Sequence, residues 1–154
     1  MPEDLPFIDQ FDVAVEASDR AVFEALTRHL EDAFGSVAAR VGAGLLGCVH
    51  RGASFGVPPV EGQVASGFVV SAVRSPNHLV LEGRHSFASY RLTFEIAPLA
   101  ENRSQLIART HALFPGLPGA AYRALVIGSG GHEILARRML AAVAARAVRM
   151  EGGR

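Results

Sequence analysis

The sequence predicts an α+β fold in which an antiparallel sheet lies against one long C-terminal helix, with short helices after the first strand. Three observations lead there. From Gly67 to Phe114 the chain runs in β-branched and aromatic segments that alternate apolar with polar residues between turn signals, the pattern of an antiparallel meander. From Leu117 to Met150 apolar residues recur at helical spacing. Ahead of both stand a strand and an amphipathic helix. A sheet with one apolar face and a helix with one apolar stripe bury each other as a two-layer domain.

Composition sets the outer limits. The chain has 154 residues and is read as one domain over 1–154; a chain of this size buries roughly 68–70% of its unfolded surface. Apolar residues make up 49% and glycines number 16, a rich content compatible with a cavity beside the core. Formal net charge is zero, which argues against nucleic acid as a partner. All 15 basic residues are arginine. A single Cys48 cannot close an internal disulfide, and the six histidines show no metal spacing. No metal and no cofactor is expected. The N-terminus Met1-Pro2-Glu3-Asp4-Leu5 is acidic and lacks the apolar core of a signal peptide. The most apolar stretch, Ala112 to Gly131, holds Arg123, prolines and glycines and does not read as a membrane span. A cytoplasmic monomer or homodimer is the expectation.

The first strand covers Phe7 to Ala17, with Phe11, Val13 and Val15 on one side. Ser18 then suits an N-cap and Asp19 the positive end of a helix dipole. Val22, Phe23, Leu26, Leu30 and Phe34 form the buried stripe of that helix, and Gly35 is its stop. A short helical piece, Val37 to Val41, follows. From Val41 to Gly67 the glycines and Pro58-Pro59 leave room only for short strands, around Leu46–His50. Gly42-Ala43-Gly44-Leu45-Leu46-Gly47 spells the dinucleotide pattern GxGxxG. That motif has to close a buried strand and open a helix that receives the pyrophosphate. Here the preceding residues look helical and the following ones are too glycine-rich to propagate a helix, so the segment reads as a loop.

Phe68 to Val73 is strongly β-forming, Ser75-Pro76-Asn77 is a turn, and Leu79 to Arg84 is the next strand. Tyr90, Leu92, Phe94 and Ile96 alternate with Arg91, Thr93 and Glu95. After the turn at Ala100–Arg103, Leu106, Ala108, Thr110, Ala112 and Phe114 alternate with Gln105, Arg109 and His111. In the closing helix Ala136, Met139, Leu140, Val143, Ala147 and Met150 make one stripe, with Arg137, Arg138 and Arg149 opposite; Tyr122, Leu125 and Val126 make a stripe in its first half. Gly128-Ser129-Gly130-Gly131 predicts a kink or break between them.

At this point the chain resembles the START-like, or SRPBCC (Bet v 1-like), superfamily, in its polyketide cyclase/dehydrase and lipid-transport branch. The resemblance rests on the opening strand with Arg20-Ala21-Val22-Phe23-Glu24-Ala25-Leu26, the segment Leu79-Val80-Leu81-Glu82-Gly83-Arg84, the strand Tyr90-Arg91-Leu92-Thr93-Phe94-Glu95-Ile96 and the closing helix. It implies a helix-grip fold, a curved antiparallel sheet wrapped around the last helix with an apolar cavity between. It also implies binding or transport of a small hydrophobic molecule such as a lipid, quinone, sterol or polyketide. The alternative it implies is a cyclase or hydrolase working in the same cavity, and, more remotely, a protein-interaction module. It brings no shared catalytic motif.

The residues themselves nominate a lining. Phe68, Val70, Leu81, Tyr90, Leu92, Phe94, Leu106, Ala108, Thr110, Tyr122, Val126 and Met139 are expected to face the cavity, a largely apolar set with two phenols and one threonine. Replacing Ala108 by Trp is expected to fill it. Candidates for chemistry are Glu82, Arg84 and His85. If Glu82 and Arg84 face inward with Tyr90 and Leu92, they orient a polar head or supply a base; otherwise they form an exposed cross-strand ion pair. Arg109 and His111 are expected to face solvent. His132-Glu133 lacks the second histidine of a zincin helix, since position 136 is alanine. Cys48 reads as a buried small hydrophobe.

Overall fold

A computed structural model of the chain describes residues 4–49 and 54–153. In order the elements are β1 (Phe7–Val15), α1 (Asp19–Phe34), α2 (Val37–Leu45), β2 (Val64–Ala65), β3 (Phe68–Arg74), β4 (His78–His85), β5 (Ala88–Ala100), β6 (Arg103–Leu113), α3 (Gly116–Arg123), a π-helical turn (Ala124–Gly128) and α4 (Gly131–Gly152). The six strands form one antiparallel sheet in the order β1-β6-β5-β4-β3-β2. Irregularities in register fall between Phe7 and Asp9, Val70 and Ala72, and Pro98 and Ala100. Bulges of this kind bend a sheet and increase its twist. Together with the closing helix this is the helix-grip arrangement.

Local chemistry explains the opening. Ser18 accepts from the Ala21 N–H and caps α1, and Gly35 ends it. Ser104 donates to the Ala17 carbonyl at 2.9 Å, tying the start of β6 to the corner between β1 and α1. Ser36 caps α2 in the same way, and the helix runs on through Gly42 and Gly44 to Leu45. The expected loop is therefore partly helix. The cap at Ser36 and continued backbone bonding outweigh a glycine cost of about 1 kcal/mol each. The expected strand around Leu46–His50 is a turn as far as Val49, and His50 and Gly52 lie outside the described residues.

The concave face is best followed in rows of paired residues. Val13, Leu106 and Ile96 make the first row; Phe11, Ala108, Phe94 and Leu79 the second; Asp9, Thr110, Leu92 and Leu81 the third; Ala112, Tyr90 and Gly83 the fourth; Ala88 and His85 the fifth. α1 packs on α4 and on β5 and β6, and α4 on β1. Val22, Leu26 and Leu30 from α1 and Leu140, Val143 and Ala147 from α4 close over the first two rows and complete the core. Over the upper rows these two helices reach only with their ends, Phe34 of α1 and His132 of α4.

The helical run to the C-terminus is broken where the glycines stand. The π turn carries the chain to Ser129, Gly130 takes φ +79°, and α4 starts afresh at Gly131. Met139 and Met150 pack against the core with the α4 stripe. Leu125, expected to share a stripe with Tyr122 and Val126, is exposed instead. Bonds of i→i+5 type in a π turn shift each following side chain around the axis, so a stripe drawn at the α-helical period loses its register there.

Gly130 sits in the left-handed region, whereas Gly128 does not and has open space around it. Gly130→Ala is expected to cost about 1–2 kcal/mol, while Gly128→Ala should be neutral or raise stability by up to about 1 kcal/mol. Paired thermal melts of the two variants check this; equal losses would contradict it.

Candidate functional site

Above the filled rows the sheet, α2, α3 and the π turn enclose a cavity of about 430 Å³. Its floor is made of small residues, Ala88 and Ala112. Phe34, Ala39, Gly42, Ala43, Leu46 and Cys48 close the α2 side; Phe114, Tyr122, Val126, Ile127 and His132 close the other. Phe68, Leu92, Thr110, Tyr90, His85 and Ser66 complete the wall. The size lies within the roughly 300–1,000 Å³ usual for small-molecule sites.

The nearest thing to a keystone is Tyr90. Its hydroxyl donates to the Gly67 carbonyl at 2.7 Å, and its ring crosses Gly83 and meets Phe68 edge-on at 5.0 Å. A Cβ on Gly83 would overlap both the Gly67 oxygen and the Tyr90 ring. Gly67 itself takes φ +96°. The Cys48 sulfur lies 3.9 Å from the same hydroxyl. Burial, and after it Cys48 and Tyr122, hold the Tyr90 phenol far above its usual range, so it stays protonated.

The other polar groups can be accounted for in turn. Ser66 donates to the Phe34 carbonyl at 2.8 Å. His85 accepts at Nδ1 from the Phe87 N–H at 3.0 Å, so Nε2 carries its proton. Burial lowers the pKa of His85 and so favours that neutral form. Its ring lies edge-on to Tyr122 at 4.9 Å, and Tyr122 stacks on Phe87 at 5.6 Å. Burial, then Cys48, raises the Tyr122 phenol. His132 Nε2 lies 3.2 Å from Thr110 Oγ1 and 3.2 Å from Asp9 Oδ2. Among the described residues the His85 Nε2–H and the Tyr122 hydroxyl are the donors on the wall that have no partner and remain to meet a ligand. Among the described residues no three His, Cys, Asp or Glu side chains gather as metal ligands.

The structure divides the nominated lining. Phe68, Tyr90, Leu92, Thr110, Tyr122 and Val126 stand on the cavity wall. Val70, Leu81, Phe94, Leu106 and Ala108 instead belong to the packed core, and Met139, half-buried, packs against it. Parity places the sheet members of this second group on the correct face, but the rows below Thr110 are filled by α1 and α4. Leu81 lies in Thr110's row but is fully buried with Val70 opposite it. Ala108 cannot serve as the pocket-filling position for the same reason.

Facing also decides between the two readings of the polar candidates. The β4–β5 connection is two residues, and it pairs Glu82 with Arg91 and Gly83 with Tyr90. Glu82 and Arg84 therefore lie on the outer face, Glu82 bridged to Arg91 at 2.7 Å, and His85 alone of the three reaches the cavity. Arg109 bonds to Glu95 and Gln10 on that outer face. His111 is half-buried there against Phe7. Cys48 is buried as expected, but on the cavity wall. Residues the sequence reading passed over are Ala88, Ala112 and Phe114, which share the parity of Tyr90 and Thr110. The α2 residues offered no periodic signal.

No family model and no curated protein matches the chain. Solved structures do resemble it. The Zhui aromatase/cyclase from Streptomyces sp. R1128 superposes with a TM-score of 0.56 at 13% identity, over 95% of each chain. A conserved protein from Geobacillus kaustophilus gives 0.53 at 13% identity, over 91% of this chain and 94% of that one. A point mutant of Thalictrum flavum norcoclaurine synthase gives 0.52 at 10% identity, over 96% and 99%. The chain shares its helix-grip fold with these structures.

Two outcomes follow from the geometry. Gly83→Ala should lower stability by about 3 kcal/mol, since the clash is with backbone and a clamped ring; a urea midpoint near that of the parent would contradict it. For His85 the folded state binds its proton less readily than the unfolded chain does, so stability should fall as pH drops below the ordinary value of 6.5. His29 is depressed in the same direction. Comparing urea midpoints at about pH 7.5 and about pH 5.5, His85→Gln should lose less on acidification than the parent.

Proposed function

We propose that the chain binds a small, largely hydrophobic molecule with a flat or aromatic portion in the cavity between the upper rows of the sheet and the C-terminal helical run. One observation carries the reading: the wall is apolar and aromatic, and its polar atoms are nearly all committed to the protein itself. Such a site favours a ligand with few polar atoms and gives orientation through one or two donors. The His85 Nε2–H and the Tyr122 hydroxyl supply those donors to a carbonyl or ether oxygen. Carriage of a lipid-, quinone- or polyketide-like molecule is the reading this lining supports best.

Catalysis of the cyclase or hydrolase kind is the second reading. It is favoured by the contact between His85 and Tyr122, two proton-bearing groups side by side on the cavity wall. Glu82 and Arg84, on the outer face, take no part in it. No helix among the described residues is long and apolar enough to cross a membrane.

Titration with a neutral fluorescent dye such as N-phenyl-1-naphthylamine, followed by competition with fatty acids, sterols, quinones and hydroxylated aromatics, tests the reading. Ala112→Trp should abolish dye uptake with the fold intact by circular dichroism, because Ala112 is part of the cavity floor. Ala108→Trp should unfold the protein instead. An Ala112→Trp protein that takes up the dye as well as the parent would refute the site. Mass spectrometry of small molecules released on denaturing the purified protein identifies the ligand class.

A further inference from the structure

Asp9 and His132 come from opposite ends of the chain and meet at the β1 side of the cavity. The bulge in β1 turns Phe7 outward onto the His111 ring, while Asp9 stays opposite Thr110 on the concave face. Below it that face of β1 is apolar, with Phe11, Val13 and Val15. A carboxylate there is costly unless it is paired. Asp9 is only half satisfied: Oδ2 meets His132 at 3.2 Å, and Oδ1 is buried with no partner among the described residues. His132 belongs to the first turn of α4, placed by the restart at Gly130, and its ring borders the cavity.

A carboxylate only accepts, so in the neutral ring the Nε2 shared by Asp9 and Thr110 carries the proton. The second nitrogen, Nδ1, then has a free lone pair; it bonds to nothing among the described residues and is not among their buried unpartnered atoms. A histidine held by a carboxylate in this manner is arranged to take a proton, since the carboxylate orients the ring and stabilises the imidazolium that results.

We propose that the Asp9–His132 pair is a proton-accepting anchor for a weakly acidic hydroxyl on the ligand, a phenol or a stabilised enol. The step balances without a co-reactant. The ligand O–H bond breaks, its proton bonds to Nδ1, and the electron pair stays on oxygen as an anion hydrogen-bonded to the new N–H. The imidazolium Nε2–H remains paired with Asp9, whose unsatisfied charge gains a cationic neighbour. This deepens the ligand-binding reading and rests on it. His85 lies two rows away along the sheet, about 13 Å by strand rise, so a ligand with its acidic hydroxyl at His132 presents its far end to the His85 and Tyr122 donors.

The test uses 4-nitrophenol, whose absorption distinguishes phenol from phenolate, and 4-nitroanisole, the same ring without the proton. The full chain is titrated into each below the pKa of free nitrophenol. The expected result is that both bind and that the phenolate band grows with added protein. His132→Gln should abolish the band and lower the preference for nitrophenol over nitroanisole by about tenfold. Asp9→Asn should weaken the band. Bound nitrophenol that stays neutral in the parent protein, a readout that needs no variant, overturns the inference. A phenolate band that survives His132→Gln overturns it as well. If nitroanisole also fails to bind the parent, the ligand-binding reading has failed and the anchor with it.

Discussion

The two-residue connection between β4 and β5 sets the facing of the whole site, because it joins His85 directly to Ala88 as a pair. With two residues between paired strand ends, the pair numbers sum to an odd value. Odd residues of β4 then share a face with even residues of β5. Everything at the upper end of the sheet follows from this parity. Gly83 comes under Tyr90, His85 turns to the cavity, and Glu82 turns away to meet Arg91 outside. A slip of one residue in this pairing would put Glu82 and Arg91 on opposite faces and turn His85 away from the cavity.

The close crossing of Tyr90 over Gly83 depends on that register and gives the cavity its fixed corner. A phenol bonded to a backbone carbonyl and packed between Phe68 and His85 has little freedom. The small floor residues beside it leave space that no neighbouring side chain fills. Below, the same concave face is closed by α1 and α4, whose Leu26, Leu140 and Val143 are almost wholly buried. One continuous apolar surface is thus part core and part cavity wall. The division comes from where the helices lie, and the break at Gly130 decides where α4 begins.

Much of this was legible in advance. Hydrophobic alternation located the meander, Ser18 and Gly35 marked the ends of α1, and the run of glycines marked the break in the closing helix. The inward parity of β5 and β6 was also correct, because period-two burial leaves a direct trace in sequence. The α2 wall left only a partial one, the short helical piece over Val37–Val41, which the structure extends to Leu45. A short glycine-containing helix with a weak apolar pattern resembles a loop until its cap and its docking partners are known. Docking here includes backbone bonds from Val49 to Arg84 and from Ser86 to Leu46.

The sequence by itself determined the element order, the antiparallel meander, the amphipathic faces and the apolar character of the interior, since each depends on periodicities and turn chemistry within a short window. Only the tertiary structure decided which inward residues are core and which are wall. Phe94 and Leu92 have the same facing and similar chemistry, yet one lies in the packed core and the other borders open space. The same holds for the polar groups. Asp9 and His132 are far apart in the chain and each looks unremarkable alone; a bulge in β1 and a restarted helix bring them together at the cavity. Contacts of that kind depend on how separate elements pack, and no local pattern encodes them.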